Sequence, residues 1–346
     1  MSALLSVGQS ALLAAYAQLR TTGHNIANAN TPGYSRQEVA LASAGGQYSG
    51  GGFLGQGVDL VTVQRRYDRF LAAELSSGTA MAAADGARAE QLGRLDSLLA
   101  DTGNGIGVAV DELNAALADL VNRPADASAR QIVVGRADAL ALRMRTVDAQ
   151  LRELGRDSNE RITQAAESAT DLLGRIARLN ERIAASAGAG QQPNDLLDER
   201  DRMLVQLNGY LKTTTYTQDD GTVSVFAAGG EALVTGNRAA ALRAEPDPLD
   251  ATRQRVVMVL GGAEIPASAD TLGGGSIAGL MRFRDQDLPE TRTRLGQLAG
   301  AIAAAFNRQQ SLGVDASGAA GQPMFAVGSP QVIAASSNSG SAQLAA

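Results

Sequence analysis

The chain of 346 residues contains no cysteine and no tryptophan, a single histidine (His24), a single lysine (Lys212) and only 3% aromatic residues. Without cysteine there are no disulfides, thiolate metal sites or cysteine nucleophiles. One histidine cannot join a second in a metal or proton-transfer arrangement, and Lys212 follows no Gly-rich loop, so a phosphate-binding loop lysine is also excluded. No stretch reaches the roughly 18 consecutive apolar residues that a transmembrane helix needs. Met1 to Leu19 is fairly apolar, yet it has no positive leading region and Gln9 and Ser10 interrupt it, which argues against a secretory signal peptide. The formal net charge of -6 arises from well-mixed acids and arginines. With no basic patch, nucleic acid and anionic membrane surfaces are not expected partners.

What the chain does contain is Ala, Leu and 39 Gly within a 45% apolar composition. That mixture favours Ala-rich helices joined by Gly-rich turns. Leu5, Leu12, Leu19 and Ile26 fall seven apart, with Ala15 and Tyr16 between them, which places one apolar stripe along a helix. Such a stripe fits either a helix docked on its own domain or an intermolecular coiled coil, and spacing alone does not separate the two. The helix must stop within His24 to Gln37, because Asn25, Asn28 and Asn30 compete for local backbone and Pro32 pushes Thr31 out of the helical region. Pro32 and Gly33 suit the centre of a type II turn, so Tyr34 to Leu41 is expected to leave extended, and Val58 to Val63 forms a second extended stretch.

From Asp85 to Leu211 the apolar spacing is helical. It runs through Leu92, Leu95 and Leu99, then Ile106 to Leu120, then Leu140 to Leu154, and after a polar interval Leu172, Ile176, Leu179 and Ile183. Long helices in a bundle are expected, broken at Arg123-Pro124 and at Gly188 to Pro193, with Asn194 or Asp195 capping the helix that follows. Between Lys212 and Asp270 the period changes to two, with a hairpin turning at Asp219-Asp220-Gly221 and further strands at Leu233-Val234 and Val256 to Leu260. Leu280, Phe283, Leu288, Leu295, Leu298, Ile302 and Phe306 return to helical spacing, and Ser336 to Ala346 carries no apolar period. The fold class is therefore α+β: an elongated helical bundle, an N-terminal helical segment whose stripe leaves a coiled-coil polymerisation role open, and a small inserted β domain. The expected divisions are 1–75, 76–212, 213–272, 273–325 and a loose tail 326–346.

Candidate chemistry is sparse. Gly50 to Gly55 matches a dinucleotide fingerprint in form, but a strand follows it where a helix is required. Asp195, Asp198, Glu199 and Asp201 interleave with Arg200 and Arg202, and Asp198 to Arg202 has helical ion-pair spacing, so a solvated, charge-paired face is expected. Asp219-Asp220-Gly221 lacks the ligand ladder of a calcium loop. His24, within an Asn-rich helix end, reads as a packing or capping residue. No serine elbow with a base occurs. No enzyme activity, metal or cofactor is expected.

The run Asn25-Ile26-Ala27-Asn28-Ala29-Asn30-Thr31-Pro32-Gly33-Tyr34 resembles the N-terminal motif of flagellar rod, hook and hook-associated proteins. Ser35-Arg36-Gln37, Asn194 to Asp201 and Gly279 to Asp285, continuing to Asn307, Gly313, Asp315, Gly318 and Phe325, resemble the hook-associated protein 1 family within that group. The resemblance implies a structural subunit of the hook–filament junction, exported without a cleaved signal peptide through the flagellar type III channel and located outside the cell. Its implied partners are further copies of itself, the hook protein, a second junction protein (hook-associated protein 3) and the export apparatus. It also implies that Leu5, Leu12, Tyr16, Leu19 and Ile26 face other subunits. Members of that family close with a long C-terminal helix that serves assembly and binds an export chaperone. No counterpart follows Ser336 here, so a truncated or shortened relative is expected. A rod or hook protein would share the Asn-rich motif but not the long middle helices. A cytoplasmic helical adaptor or ligand-binding module would leave that motif unexplained.

Overall fold

A computed structural model of the chain describes residues 2–48, 50–100, 103, 105–188, 192–315 and 317–328. The expected tail beyond Gly328 and the turn at 189–191 lie outside the described residues. Helix α1, Ser2–Ala27, ends where the sequence demands. The Tyr34 amide closes a turn onto the Thr31 carbonyl at 3.1 Å, with Gly33 at φ 76° supplying the positive angle a type II turn requires. The chain then runs through β1, Gln37–Ser43, a small hairpin of β2, Gln47–Tyr48, and β3, Phe53–Leu54, and β4, Val58–Arg65. Strands β1 and β4 pair antiparallel from Gln37↔Arg65 to Ser43↔Val58, with a bulge at Ala40/Leu41. Gly50 to Gly55 sits in the β2–β3 hairpin and precedes no helix.

Helix α1 lies on the β1–β4 ribbon through a stripe of mostly small residues, Val7, Ser10, Ala14, Ala17, Thr21, Asn25 and Asn28, all at least partly buried. Contact is close at Gly57, where a Cβ would come within 2.3 Å of the Ser10 hydroxyl oxygen.

Helix α2 runs Arg69–Leu99, capped by Asp68, whose carboxylate accepts the Phe70 and Leu71 amides at 2.9 and 3.1 Å. It starts well before Asp85, the expected beginning of the helical region, and spans the expected division at 75/76. Helices α3, Ile106–Asn122, and α4, Ala127–Gly188, are separated at Arg123-Pro124 as expected. Helix α4 is a single helix of 62 residues, about 90 Å long at the helical rise, and passes unbroken through the polar interval between Leu154 and Leu172. It survives there because Ile162, Ala165, Ala166 and Ala169 still bury one face. Helix α5, Asn194–Asn208, follows. Neither Asn194 nor Asp195 caps it: Pro193 holds the cap position without a side-chain bond, and the Asn194 side-chain Nδ2 donates instead to the Val63 carbonyl at 2.8 Å.

The strand-rich segment forms two antiparallel sheets. Strands β5, Thr213–Thr217, β6, Val223–Ala227, β7, Ala232–Thr235, and β8, Arg238–Ala239, make one in that order. Strands β9, Ala241–Pro246, β10, Gln254–Leu260, and β11, Ala263–Ala267, make the other, with β10 central. The expected turn is present, and the Asp220 carboxylate accepts both the Thr222 hydroxyl at 2.7 Å and its amide at 2.9 Å, bonds that hold its pKa below the ordinary value. The sheets have no core apart from the helices. Val225, Leu233, Val256 and Leu242 belong to the same buried apolar cluster as Leu173, Ile176, Leu207 and Ile277. Asn180 of α4 reaches into the first sheet, donating to the Val223 carbonyl at 2.8 Å and accepting its amide at 3.1 Å.

The chain returns through α6, Ala269–Leu272, and α7, Gly275–Arg282. A π turn at Phe283–Asp287 then leads into α8, Leu288–Ser311. Gly279 lets α7 meet α2 backbone to backbone: a Cβ there would lie 2.1 Å from the Ala84 carbonyl oxygen. The extra residue in the π turn aims buried Arg284 at the Gln254 carbonyl (2.5 Å) and Asn159 Oδ1 (3.1 Å), tying α4 to β10. Beyond α8, Phe325 and Asn307 exchange two hydrogen bonds, bringing Phe325 against Phe306.

Candidate assembly interface

With the small-residue stripe of α1 turned to the ribbon, its leucines have nowhere to go but outward. Leu5, Leu12, Leu19 and Ile26 are 74, 74, 71 and 72% exposed, and Tyr16, Leu4 and Leu13 stand beside them. The heptad stripe is therefore not the face that docks on the chain's own ribbon. A ridge of this size in water is characteristic of a surface that meets another chain. The docking stripe escaped the periodicity reading because Ser, Ala, Thr and Asn carry no apolar signal.

The Asn-rich motif anchors α1 to β1. Asn25 is its hub: its Oδ1 accepts the Gln37 amide at 2.8 Å and the Tyr34 hydroxyl at 2.7 Å, while its Nδ2 donates to the Gln37 carbonyl at 2.8 Å. Asn28 closes back on the His24 carbonyl at 3.0 Å and receives the Thr31 hydroxyl at 3.3 Å, fixing the helix end. His24 stacks edge-on against Tyr34, with ring centroids 5.6 Å apart, which is a packing role. Asn30 is exposed, Pro32 and Gly33 form the turn, and Arg36 accepts the Arg66 amide at its carbonyl at 2.8 Å. Ser35 leaves the motif in a different direction, donating its amide to Asp198 of α5 at 3.0 Å.

That last bond leads to a cluster whose character differs from the expected solvated face. Asp198 does not pair with Arg202. Arg65, at the end of β4, donates from one Nη to Asp198 at 3.0 Å and to Asp201 at 2.6 Å, and the side chains of Arg65 and Asp198 are only 10% and 6% exposed. Arg200, also buried, donates to the Gly221 carbonyl at 2.7 Å and lies 3.6 Å from Asp201. Tyr67 lies under the Arg65 guanidinium, 4.2 Å from ring centroid to Cζ. Burial pushes the Tyr67 phenol above its usual pKa, with Asp201 adding to the effect, and lowers that of Arg200. Burial, with Asp198 and Asp195 behind it, likewise raises the Tyr34 phenol. Helical spacing misled here because an exposed i,i+4 pair contributes only about 0.3–0.5 kcal/mol, too little to hold Asp198 against a buried arginine. Among the described residues no group of three or more His, Cys, Asp or Glu is arranged to hold a metal ion. The cluster ties two parts of the chain together.

Residues 92–325 match the family described as flagellar hook-associated protein FlgK helical domain, and residues 5–34 match the flagella basal body rod protein family. Flagellar hook-associated protein 1 of Salmonella typhimurium is 38% identical over 343 residues, covering 98% of this chain and 62% of the relative. The Escherichia coli protein of that name is 36% identical, covering all of this chain and 64% of the relative. The chain thus spans less than two thirds of the length of these relatives. Among solved structures, the flagellar hook junction protein FlgK from Burkholderia pseudomallei superposes with a TM-score of 0.71 at 30% identity, over 78% of this chain and 49% of that one. The α+β fold with its long helices is the fold of that structure, and the chain belongs to the flagellar hook-associated protein 1 family.

Proposed function

We propose that the chain is a structural subunit of the bacterial flagellum at the hook–filament junction, that it catalyses nothing, and that it assembles through the leucine ridge of α1. The observation that carries this reading is the outward ridge of Leu5, Leu12, Leu19 and Ile26 in a chain of this family. Burying one leucine contributes roughly 1.5–3 kcal/mol, so a ridge left in water is a reserve of free energy that packing against neighbouring copies releases. On this reading Tyr16 joins the same contact. The Asn25 to Arg36 motif sets the geometry at the base of α1, and the bundle with its sheets forms the body of the subunit. Of the expected divisions, 1–75 then corresponds to an assembly segment together with the first residues of α2, and 76–212, 213–272 and 273–325 to a helical bundle, a strand-rich insert and a returning helical stretch.

Its partners are other copies of the chain, the hook protein and hook-associated protein 3, reached outside the cell after passage through the export apparatus. No helix among the described residues is long and apolar enough to cross a membrane, which is compatible with that route. Electron microscopy of cells lacking the gene tests the junction role. Bare hooks with flagellin lost to the medium are the expected outcome, and normal flagella would remove the reading. The ridge is tested separately by Leu12→Asp, which places a charge where apolar contact is needed. Thermal unfolding of the purified chain is expected to stay unchanged while incorporation into the flagellum is lost.

A further inference from the structure

The segment 2–65, comprising α1 and the β1–β4 ribbon, meets the rest of the chain without a shared apolar core. The three buried apolar clusters among the described residues take no residue before Ala87. One covalent link leaves the segment, through Arg66, Tyr67 and Asp68 into α2. A body attached at one point swings about it, and interfaces that are neither large nor apolar permit such motion by default. A second attachment is needed to fix a direction, and every polar bond described between the segment and α5 gathers at one place. These are Arg65 to Asp198 and Asp201, the Ser35 amide to Asp198, the Asn194 side-chain Nδ2 to the Val63 carbonyl, and weaker approaches of Gln37 (3.4 Å) and His24 (4.0 Å) to Asp195.

Within this set Arg65 stands apart. Its removal would leave Asp198 and Asp201 as nearby carboxylates in a buried setting, with the Ser35 amide on Asp198, the Tyr67 hydroxyl on Asp201 and, as the remaining described cation, Arg200 at 3.6 Å from Asp201 to offset them. Uncompensated buried charge draws in water, and here the route for water is the joint itself. We infer that Arg65 is the positioning residue of the assembly segment: its guanidinium, shared by Asp198 and Asp201, sets the angle at which α1 and its leucine ridge leave the helical bundle. The inference rests on the reading of α1 as the assembly surface, but its test measures geometry in the isolated chain, so either can fail without the other.

The absence of native cysteine makes the test direct. Cysteines are placed at Gln18 on α1 and Glu181 on α4, both exposed, and spin-labelled for pulsed distance measurement in the full chain. A single narrow distance peak is expected in the parent. Arg65→Gln is expected to lose that peak to a broad distribution, while hydrogen exchange of α4 amides stays as protected as before. Arg65→Lys, which keeps the charge but not the planar fork, is expected to recover part of the narrow peak. Should Arg65→Gln fail to fold, Asp201→Asn in the same labelled background decides, with broadening expected there too. A narrow peak unchanged from the parent in whichever of these variants folds would overturn the assignment.

Discussion

Helices α1 and α4 carry comparable apolar periodicities and meet opposite fates. On α4, Leu173, Ile176 and Ile183 are fully buried beneath α5 and both sheets; on α1, Leu5, Leu12, Leu19 and Ile26 face solvent. The difference does not lie in the apolar residues. It lies in what the opposite stripe of each helix offers: α1 presents Ser10, Ala14, Ala17 and Asn25 to a two-stranded ribbon, and that small, polar face is the one that docks. An apolar stripe states that a surface will be covered. It does not state by which chain.

The comparison breaks most forcefully at the α4 core. Leu173→Ala removes a side chain from the cluster that joins α4, α5, α7 and both sheets, where no collapse of a single loop can refill the space. A loss of about 2–5 kcal/mol is expected in urea unfolding of the purified chain. A loss below about 1 kcal/mol would mean that the sheets and the bundle do not share one core as described.

Local chemistry was legible in the sequence. The end of α1, the Pro32-Gly33 turn, the Asp219 to Gly221 hairpin and the break at Arg123-Pro124 each depend on a few adjacent residues whose backbone preferences act alone. The middle of α4 was less legible, since Ala165, Ala166 and Ala169 bury a face without the large apolar residues that mark one. The cluster of Arg65, Asp198 and Asp201 was not legible at all. Arg65 and Asp198 are 133 positions apart, and no spacing rule links them. The π turn was hidden for another reason: its extra residue is repaid by Arg284 reaching Gln254 and Asn159, partners that exist only once β10 and α4 are in place.

A smaller effect sharpens the comparison where helices meet by backbone. Gly279→Ala would set a methyl group 2.1 Å from the Ala84 carbonyl oxygen, and neither partner is the end of a flexible side chain. Relieving that contact requires α7 to move from α2 by about an ångström, which is expected to cost about 1–3 kcal/mol, read as a lowered urea midpoint with an unchanged slope. Gly8 and Gly23 of α1 meet nothing within 4 Å, so alanine there lacks this penalty.

The smallest expected effect is the most discriminating. Leu19→Ala removes the same atoms as Leu173→Ala, but from a site that is already 71% in water. Its unfolding free energy in the isolated chain is expected to stay within about 0.5 kcal/mol of the parent. Replacing an exposed leucine by alanine forfeits little contact, and alanine is at least as good a helix former. If the two leucines cost alike in the free chain, α1 has folded back onto a surface of its own chain in solution, and its ridge is an ordinary core stripe. If only Leu173 costs, the free energy of the α1 ridge is still unspent in the isolated subunit and is available to a neighbouring one.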